Sequence, residues 1–414
     1  MQKVVIIGGG IVGLMSAYYL SKHKLDITII DQSNLESTCS TGNAGMIVPS
    51  HFTPLAAPGI VYKGFKWMFN PESPFRFYPS LNKDLLSWGW KFYQKANKKH
   101  IENSEHPLLN LNLFSKELYQ QLAQEDDFSF ELKNDGILML CKLERTLKEE
   151  IELAKRASKL GLDIQILNSL EINKLENREV TIAGGVLYKS DAHLTPNILI
   201  RQLIQFLKNQ KVKFELNQEV SGFVINNRKI KQIVIGDKQI EADTMVLAAG
   251  AFSGNLAKKL KIKLPMQGGK GYSMTFEKIK DKPHYPALLI EARVAVTPMG
   301  EYLRIGGTME IGSDLSKINK RKVQGILKSL PEYYPGLKLD YPEEEKIWSA
   351  LRPTSPDGLP YIGKSDSFEN LIVATGHAMM GLSLGPATGK LVEEIVTQQT
   401  LSQEPKAFDP NRYN

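Results

Sequence analysis

Residues Lys3 to Asp31 read KVVIIGGGIVGLMSAYYLSKHKLDITIID, and no other stretch restricts the fold as tightly. Val4 to Ile7 are a β-branched run with the pattern of a buried strand. Gly8-x-Gly10-x-x-Gly13 follows at once, then apolar residues at helical spacing from Leu14 to Leu20. A second β-branched strand, Ile27 to Ile30, stops at Asp31. Strand, glycine turn, helix, strand and acid in this order are the context in which the glycine spacing marks a dinucleotide site. The first glycine permits the tight turn, the second lets backbone approach a pyrophosphate, and the third lets helix and strand pack closely. Ile11 and Val12 open the helix, whose N–H groups and dipole face the phosphates. Asp31, with Gln32 beside it, is placed to accept a ribose hydroxyl, and its charge disfavours a ribose 2′-phosphate. At this point the dinucleotide is either FAD or NAD.

A chain of 414 residues accommodates two domains or one large α/β unit. No apolar run approaches the eighteen or so residues of a membrane span. The sequence starts directly on a strand, without the pattern of an export signal, and Cys39 and Cys141 stand alone. Both features predict a cytoplasmic, reducing location. The 7 histidines are scattered without ligand spacing, so no metal site is expected. The net charge of +7 suits an anionic cofactor, an anionic substrate or an acidic membrane surface. No nucleic-acid-binding motif accompanies it, so nucleic acid is not an expected partner.

Ser37 to Pro58 form a polar, small-residue loop suited to wrapping a planar cofactor, with Ser40, Thr41, Asn43 and the amides near Ala44 and Gly45 as donors and Met46 at its buried end. Tyr62 to Tyr93 interleave Trp67, Trp88 and Trp90 with Lys63, Lys66, Arg76, Lys83 and Lys91. That composition fits a membrane interface. It fits a core layer with a solvated face equally simply, and the core layer carries more weight. Leu108 to Gln124 read as an amphipathic helix, Phe128 to Leu140 as a hairpin around Asn134-Asp135-Gly136, and Leu143 to Leu160 as a charged helix. Short strands between Val212 and Glu241 lead to Thr244-Met-Val-Leu-Ala-Ala249-Gly250, a second buried strand ending in small residues. Ala287 to Gly312 read as a strand-rich meander. Leu371 to Ile395 repeat strand, Gly-rich loop and helix, the loop carrying Gly376, Gly381, Leu382 and Ser383. His193 reads as a turn or capping residue.

The N-terminal fingerprint, STGNAG, VLAAGAFS, KGYSM, LRPTSPDGLPYIG and ATGHAMMGLSLGPATGKL occur in this order in one family. The chain resembles the FAD-dependent amine and amino-acid oxidoreductases that include D-amino-acid oxidase, glycine oxidase and sarcosine oxidase. Its NAGMIVPSHFTPLAAPG and KWMFNPESP stretches are most similar to bacterial D-amino-acid dehydrogenases, and PSHF resembles the branch acting on D-hydroxyproline. The resemblance implies a Rossmann-like FAD-binding domain (residues 1–82, 168–264 and 346–414) with a second α+β domain on an antiparallel sheet (83–167 and 265–345). It implies noncovalent FAD, since neither cysteine lies in the C-terminal flavin motifs. By motif, Gly8, Gly10 and Gly13 hold the pyrophosphate and Asp31 the adenosine ribose, where relatives usually have Glu. Val220 meets the adenine, Gly250 closes the pyrophosphate side, and Gly381 to Ser383 present amides to the flavin.

Arg352, in the motif LRP, matches the arginine that binds the substrate carboxylate in glycine oxidase, and the competing reading is a structural ion pair. His51, Tyr272 and Arg293 are further pocket candidates. Two departures argue against simple glycine oxidation: ARVAVTP replaces a tyrosine-bearing segment, and Met379 stands where glycine oxidase has arginine. The implied reaction is hydride transfer from the α-carbon of a D-amino acid, D-proline or cis-4-hydroxy-D-proline among them, without a dedicated general base. Electrons pass to a quinone or electron-transfer chain, with residues 62–93 as a candidate peripheral contact with the inner face of the cell membrane. The alternatives are a glycine or sarcosine type of amine oxidase, an NAD-dependent dehydrogenase, and a noncatalytic FAD-holding subunit of a membrane-associated complex.

Overall fold

The computed structural model describes residues 1–59, 73–78, 82–315 and 317–414. The β-branched strand Gln2–Ile7 lies inside a six-stranded sheet. It pairs in parallel with Leu25–Ile30 on one side and Thr244–Leu247 on the other. Lys213–Glu215 forms one edge, Leu371–Thr375 follows Thr244–Leu247, and Tyr361–Lys364 closes the other edge as an antiparallel strand. The inner strands are buried along most of their length, as expected where helices cover both faces of a parallel sheet. Ile11–Leu20 is apolar on every side and buried at nine of its ten positions, because it packs between this sheet and the C-terminal helix Gly381–Val396. A separate three-stranded antiparallel sheet, Val220–Asn226, Lys229–Ile235 and Lys238–Glu241, precedes Thr244–Leu247.

The second large sheet is mostly antiparallel. Its order is Ile347–Thr354, Gln267–Glu277, Tyr302–Ile311, Val294–Met299, Ala287–Leu289, Ile137–Cys141, Gly184–Tyr188 and Ile164–Asn168, with Phe75–Phe77 paired to Tyr302–Ile311. The expected α/β architecture, a parallel dinucleotide-type sheet with a second antiparallel-based sheet, is therefore present. Gly184–Tyr188 and Ile347–Thr354 come from segments grouped with the cofactor half at the sequence level, yet both pair in this sheet.

The local hairpin expected over Phe128 to Leu140 does not form. Ile137–Cys141 is buried at every position and takes distant partners, Ala287–Leu289 in parallel and Gly184–Tyr188 antiparallel. Lys133 forms a bridge to His193 instead. An apolar run with no polar face gains more from a place inside a wide sheet than from a two-stranded ribbon, which leaves one face wet. The helix expected from Leu108 starts earlier, at Lys98, and runs to Leu122 through Pro107. Asn97 caps it by accepting from His100 N at 2.9 Å.

Candidate active site

A cavity of about 1010 Å³ lies between the two large sheets, with Gly8, Gly10 and Asp31 on its wall as well as Arg352. Its dinucleotide end is built by exclusion of side chains. Gly8 has φ +111°, and a methyl group there would sit 2.4 Å from the carbonyl oxygen of Ala248. At Gly13 a methyl group would sit 1.9 Å from the Gly8 carbonyl oxygen, so only glycine lets helix and turn approach this closely. Gly10 is the N-cap of Ile11–Leu20 and offers no side-chain cap; Ser40 supplies one from the neighbouring loop, its Oγ accepting from Ile11 N at 2.9 Å. Asp31 braces the turn. One carboxylate oxygen accepts from Gly9 N at 2.7 Å, and the other accepts from Ser33 N at 2.8 Å and Ser33 Oγ at 2.7 Å.

Ile11, Val12, Gln32, Asn43, Ala44, Met46, Val220, Ala249, Gly250, Gly381 and Leu382 also line the cavity, as do His51, Tyr272 and Arg293. Gly13, Thr41, Gly45, Gly376 and Ser383 are not on its wall. Ser383 works behind it, accepting from Val48 N at 3.0 Å and donating to Asn112 Oδ1 at 2.9 Å. Thr41 holds its own loop, its Oγ1 accepting from Thr38 N at 3.0 Å.

Two residues that shape this loop were not anticipated. Arg304 donates through Nη1 to the carbonyl oxygens of Thr41 at 2.7 Å and Asn43 at 2.8 Å, and burial pushes its guanidinium down to about 10. Nothing near Arg304 in the sequence signals that contact. Trp348 lies against Gly42, where a methyl group would meet its ring at 2.0 Å, and its Nε1 donates to Thr38 O at 3.1 Å. Here a signal existed: Trp348 and Arg352 are four apart on one strand and so share a face.

On the wall formed by the second sheet, Arg352 donates through Nη1 to Thr308 O at 2.5 Å, and burial lowers its pKa from the ordinary value. Among the described residues no carboxylate lies within ion-pair range of it, so the structural ion pair has no partner there. Tyr272 is differently engaged. Its hydroxyl donates to Glu310 Oε2 at 2.6 Å and accepts from Asn319 N at 3.3 Å, and burial, then Glu310, pushes its pKa well above the ordinary value. Tyr272 thus lies on the cavity wall with its hydroxyl already engaged in the interior. Burial, helped by the positive charge of Arg293, pushes His51 down to about 4, so the imidazole is neutral. Leu288, Ala295 and Met309 make the surrounding wall apolar.

Of the aromatic-basic segment, Trp67 lies outside the described residues. On the helix Lys83–Lys95, Trp88 is buried and donates from Nε1 to Thr354 O at 2.9 Å, whereas Leu86, Trp90 and Tyr93 are exposed. Among the described residues no helix is long and apolar enough to cross a membrane, and no group of three or more His, Cys, Asp or Glu could hold a metal ion.

A parallel sheet with a glycine-lined dinucleotide turn, joined through one cavity to a second sheet that presents a cation, defines a dinucleotide-binding fold of the oxidoreductase type. The chain belongs to the FAD dependent oxidoreductase family, whose model matches residues 3–395. A D-amino acid dehydrogenase of Helicobacter pylori strain J99 is 32% identical over 395 residues, covering 95% of this chain and 94% of that protein. The D-amino acid dehydrogenase of strain 26695 is 31% identical over 396 residues, again covering 95% of this chain and 94% of its own. Among solved structures, glycine oxidase from Geobacillus kaustophilus superposes with a TM-score of 0.78 at 19% identity over 100% of both chains. L-proline dehydrogenase from P. horikoshii gives 0.72 at 19% identity over 100% of this chain and 97% of its own. At these identities the solved structures establish the fold.

The protein is an FAD-dependent oxidoreductase. The residues present fit that cofactor: crowding at Gly8 and Gly13 clears the turn of side chains, the helix Ile11–Leu20 begins at the cavity, and Gly381 and Leu382 bring a second helix N-terminus to its wall.

Proposed function

We propose that the protein oxidises a D-amino acid at its α-carbon, with Arg352 binding the substrate carboxylate. The observation that carries this reading is a half-buried guanidinium on the cavity wall with no carboxylate partner among the described residues, set in a largely apolar chamber. An arginine fork matches a carboxylate bidentately, and burial strengthens the pairing. The D configuration is supported by the naming of the similar curated proteins.

Bound FAD supplies the acceptor for the two electrons that leave the α-carbon. The chain's own residues position the substrate. Arg352 orients the carboxylate, the wall of Leu288, Ala295 and Met309 excludes water around the side chain, and the dipole of Gly381–Val396 places a positive end at the cavity. The amine must be neutral for the hydride to leave, so turnover rises with pH. The apolar chamber suits a compact substrate such as D-proline or cis-4-hydroxy-D-proline. A quinone or electron-transfer partner then reoxidises the protein, and the exposed Leu86, Trp90 and Tyr93 form a face suited to an inner-membrane surface.

The test is anaerobic absorbance of the purified holoenzyme mixed separately with D-proline, cis-4-hydroxy-D-proline, D-alanine, glycine, sarcosine and the L-forms. Bleaching of the flavin band by D-forms alone is expected. Bleaching by glycine or sarcosine alone assigns an amine oxidase instead, and no bleaching by any of them removes the role given to Arg352.

A further inference from the structure

Asp191 is fully buried, and nothing in the site described so far uses it. Its Oδ1 accepts from Ser50 N at 2.9 Å and its Oδ2 from Ser50 Oγ at 2.5 Å. Ser50 Oγ also lies 3.2 Å from Nδ1 of His51, which is on the cavity wall. Among the described residues no hydrogen bond engages Nε2 of His51. An unbroken hydrogen-bonded chain therefore runs from the cavity through an imidazole and a hydroxyl to a buried carboxyl.

Such a chain has two proton arrangements. With Asp191 ionised, Ser50 donates to it and accepts from Nδ1–H, which leaves the Nε2 lone pair available. With Asp191 protonated, the carboxylic acid donates to Ser50 Oγ, Ser50 donates to Nδ1, and Nε2 carries the hydrogen. We propose that His51, Ser50 and Asp191 form a relay that takes the proton of the bound amino acid's ammonium group before its α-carbon is oxidised, a role that rests on the function proposed above. The ammonium N–H bond breaks as Nε2–H forms. Nδ1–H breaks as a new Ser50 O–H forms, and the old Ser50 O–H breaks as Asp191 Oδ2–H forms. The ammonium loses its positive charge, the carboxylate loses its negative charge, and His51 stays neutral throughout. His51 touches the substrate, and Ser50 and Asp191 act through it.

The surroundings favour both end states. Burial pushes Asp191 up to about 7, against the pull of its bonds from Ser50 and the charge of Lys116, so it exchanges a proton near neutrality. Lys116 faces it from Lys98–Leu122, with Nζ donating to Ser190 O at 2.7 Å. From Gly184–Tyr188, Tyr188 faces Asp191 electrostatically and donates to Glu150 at 2.9 Å. Arg293 faces His51 and disfavours a charged ring.

Two measurements on the holoenzyme test the relay. The first is the pH profile of anaerobic flavin reduction by D-proline and D-alanine in wild type, Asp191→Asn, Ser50→Ala and Asp191→Glu. Asn and Ala cannot pass the proton, so both variants are expected to be slowed at least ~10-fold at about pH 6.5 and to converge on wild type as pH rises to about 10 and beyond, where a growing share of the amine is already neutral. Glu restores part of the rate. An equal loss at every pH, or no loss, overturns the relay. The second uses no substrate: ¹⁵N NMR of histidine-labelled holoenzyme, with the His51 resonance assigned by its loss in His51→Gln. The hydrogen should move from Nε2 to Nδ1 as pH rises through about 7 in wild type and stay in place in Asp191→Asn. A fixed tautomer in wild type overturns the relay whatever the substrate. A switching tautomer in a protein that no amino acid reduces overturns the proposed function and leaves the two-state chain standing.

Discussion

The guanidinium of Arg352 lies directly over Gly271, where a methyl group would sit 2.2 Å from either terminal nitrogen. The two residues are on neighbouring strands, Gly269 being the register partner of Arg352. The obstructed group is the tip of a flexible side chain, so Gly271→Ala should fold and retain flavin while displacing the guanidinium. The expected result is a rise in KM for the amino acid of about 10- to 100-fold, the worth of a charge-assisted hydrogen bond, with a melting temperature near that of wild type. Arg352→Lys should behave similarly, because an ammonium cannot reproduce the planar fork. Steady-state kinetics and thermal melting check both variants, and an unchanged KM in both removes Arg352 from the carboxylate site.

Tyr272→Phe separates a pocket wall from a substrate ligand. The hydroxyl already serves Glu310 and Asn319, so its loss should cost about 1.5–3 kcal/mol of stability. KM should change less than about twofold, as expected when no substrate contact is removed. Denaturant melts and kinetics on the same preparation read the two effects. A large KM change with unaltered stability would reverse the assignment.

Gly13→Ala places a methyl group against the Gly8 carbonyl oxygen. Backbone cannot move aside as a side-chain tip does, so the helix must shift off the turn. Overpacking of this kind costs about 1–3 kcal/mol, and the displacement should release flavin on gel filtration. Retention of stoichiometric flavin by this variant would show that the close approach is not needed for the cofactor.

The C-terminal segment is held by a buried pair. Arg412 donates from Nε to Asp357 Oδ2 at 2.7 Å and from Nη2 to Asp357 Oδ1 at 3.0 Å. Burial opposes ionisation of Asp357, but the Arg412 charge and its hydrogen bonds outweigh it and hold the carboxyl below its ordinary range. The pair's contribution to stability is therefore present above the unfolded carboxyl pKa of about 3.9 and is lost as pH falls through the lower folded value. Arg412→Met leaves a buried carboxylate unpaired, for an expected loss of about 3–5 kcal/mol near neutrality. Its sign then reverses: Asp357 is pushed up by burial alone, so the variant should regain stability relative to wild type on acidification. Thermal melts between about pH 3 and 8 check this crossover.

Much of the cofactor half is legible from local pattern. The fingerprint, the strand into Ala249-Gly250 and the closing Gly-rich helix each carry their signal within a few residues, because their roles are performed by backbone that only small residues expose. The substrate end is less legible. Arg352 is marked by its motif, but the lack of a carboxylate partner among the described residues, on which its proposed role as a carboxylate ligand rests, is a property of the side chains folded around it. Tyr272 looks like a pocket residue in sequence and lies on the cavity wall, but its hydroxyl meets a glutamate from another strand, thirty-eight positions away. Arg304 and Asp191 had no local signature. They act through partners contributed by remote segments.

The dinucleotide turn, the alternation of strand and helix around it, and the family to which the chain belongs are all written in the order of the residues. Each rests on side-chain volume and periodicity over short distances. That Ile137–Cys141 joins a wide sheet instead of a hairpin, that Gly271 makes room for Arg352, and that Asp191 sits behind His51 follow from how distant segments pack together. A buried apolar strand does not specify its neighbour, and a charge does not specify its partner. Both are chosen when distant segments compete to satisfy the same hydrogen bonds and fill the same volume.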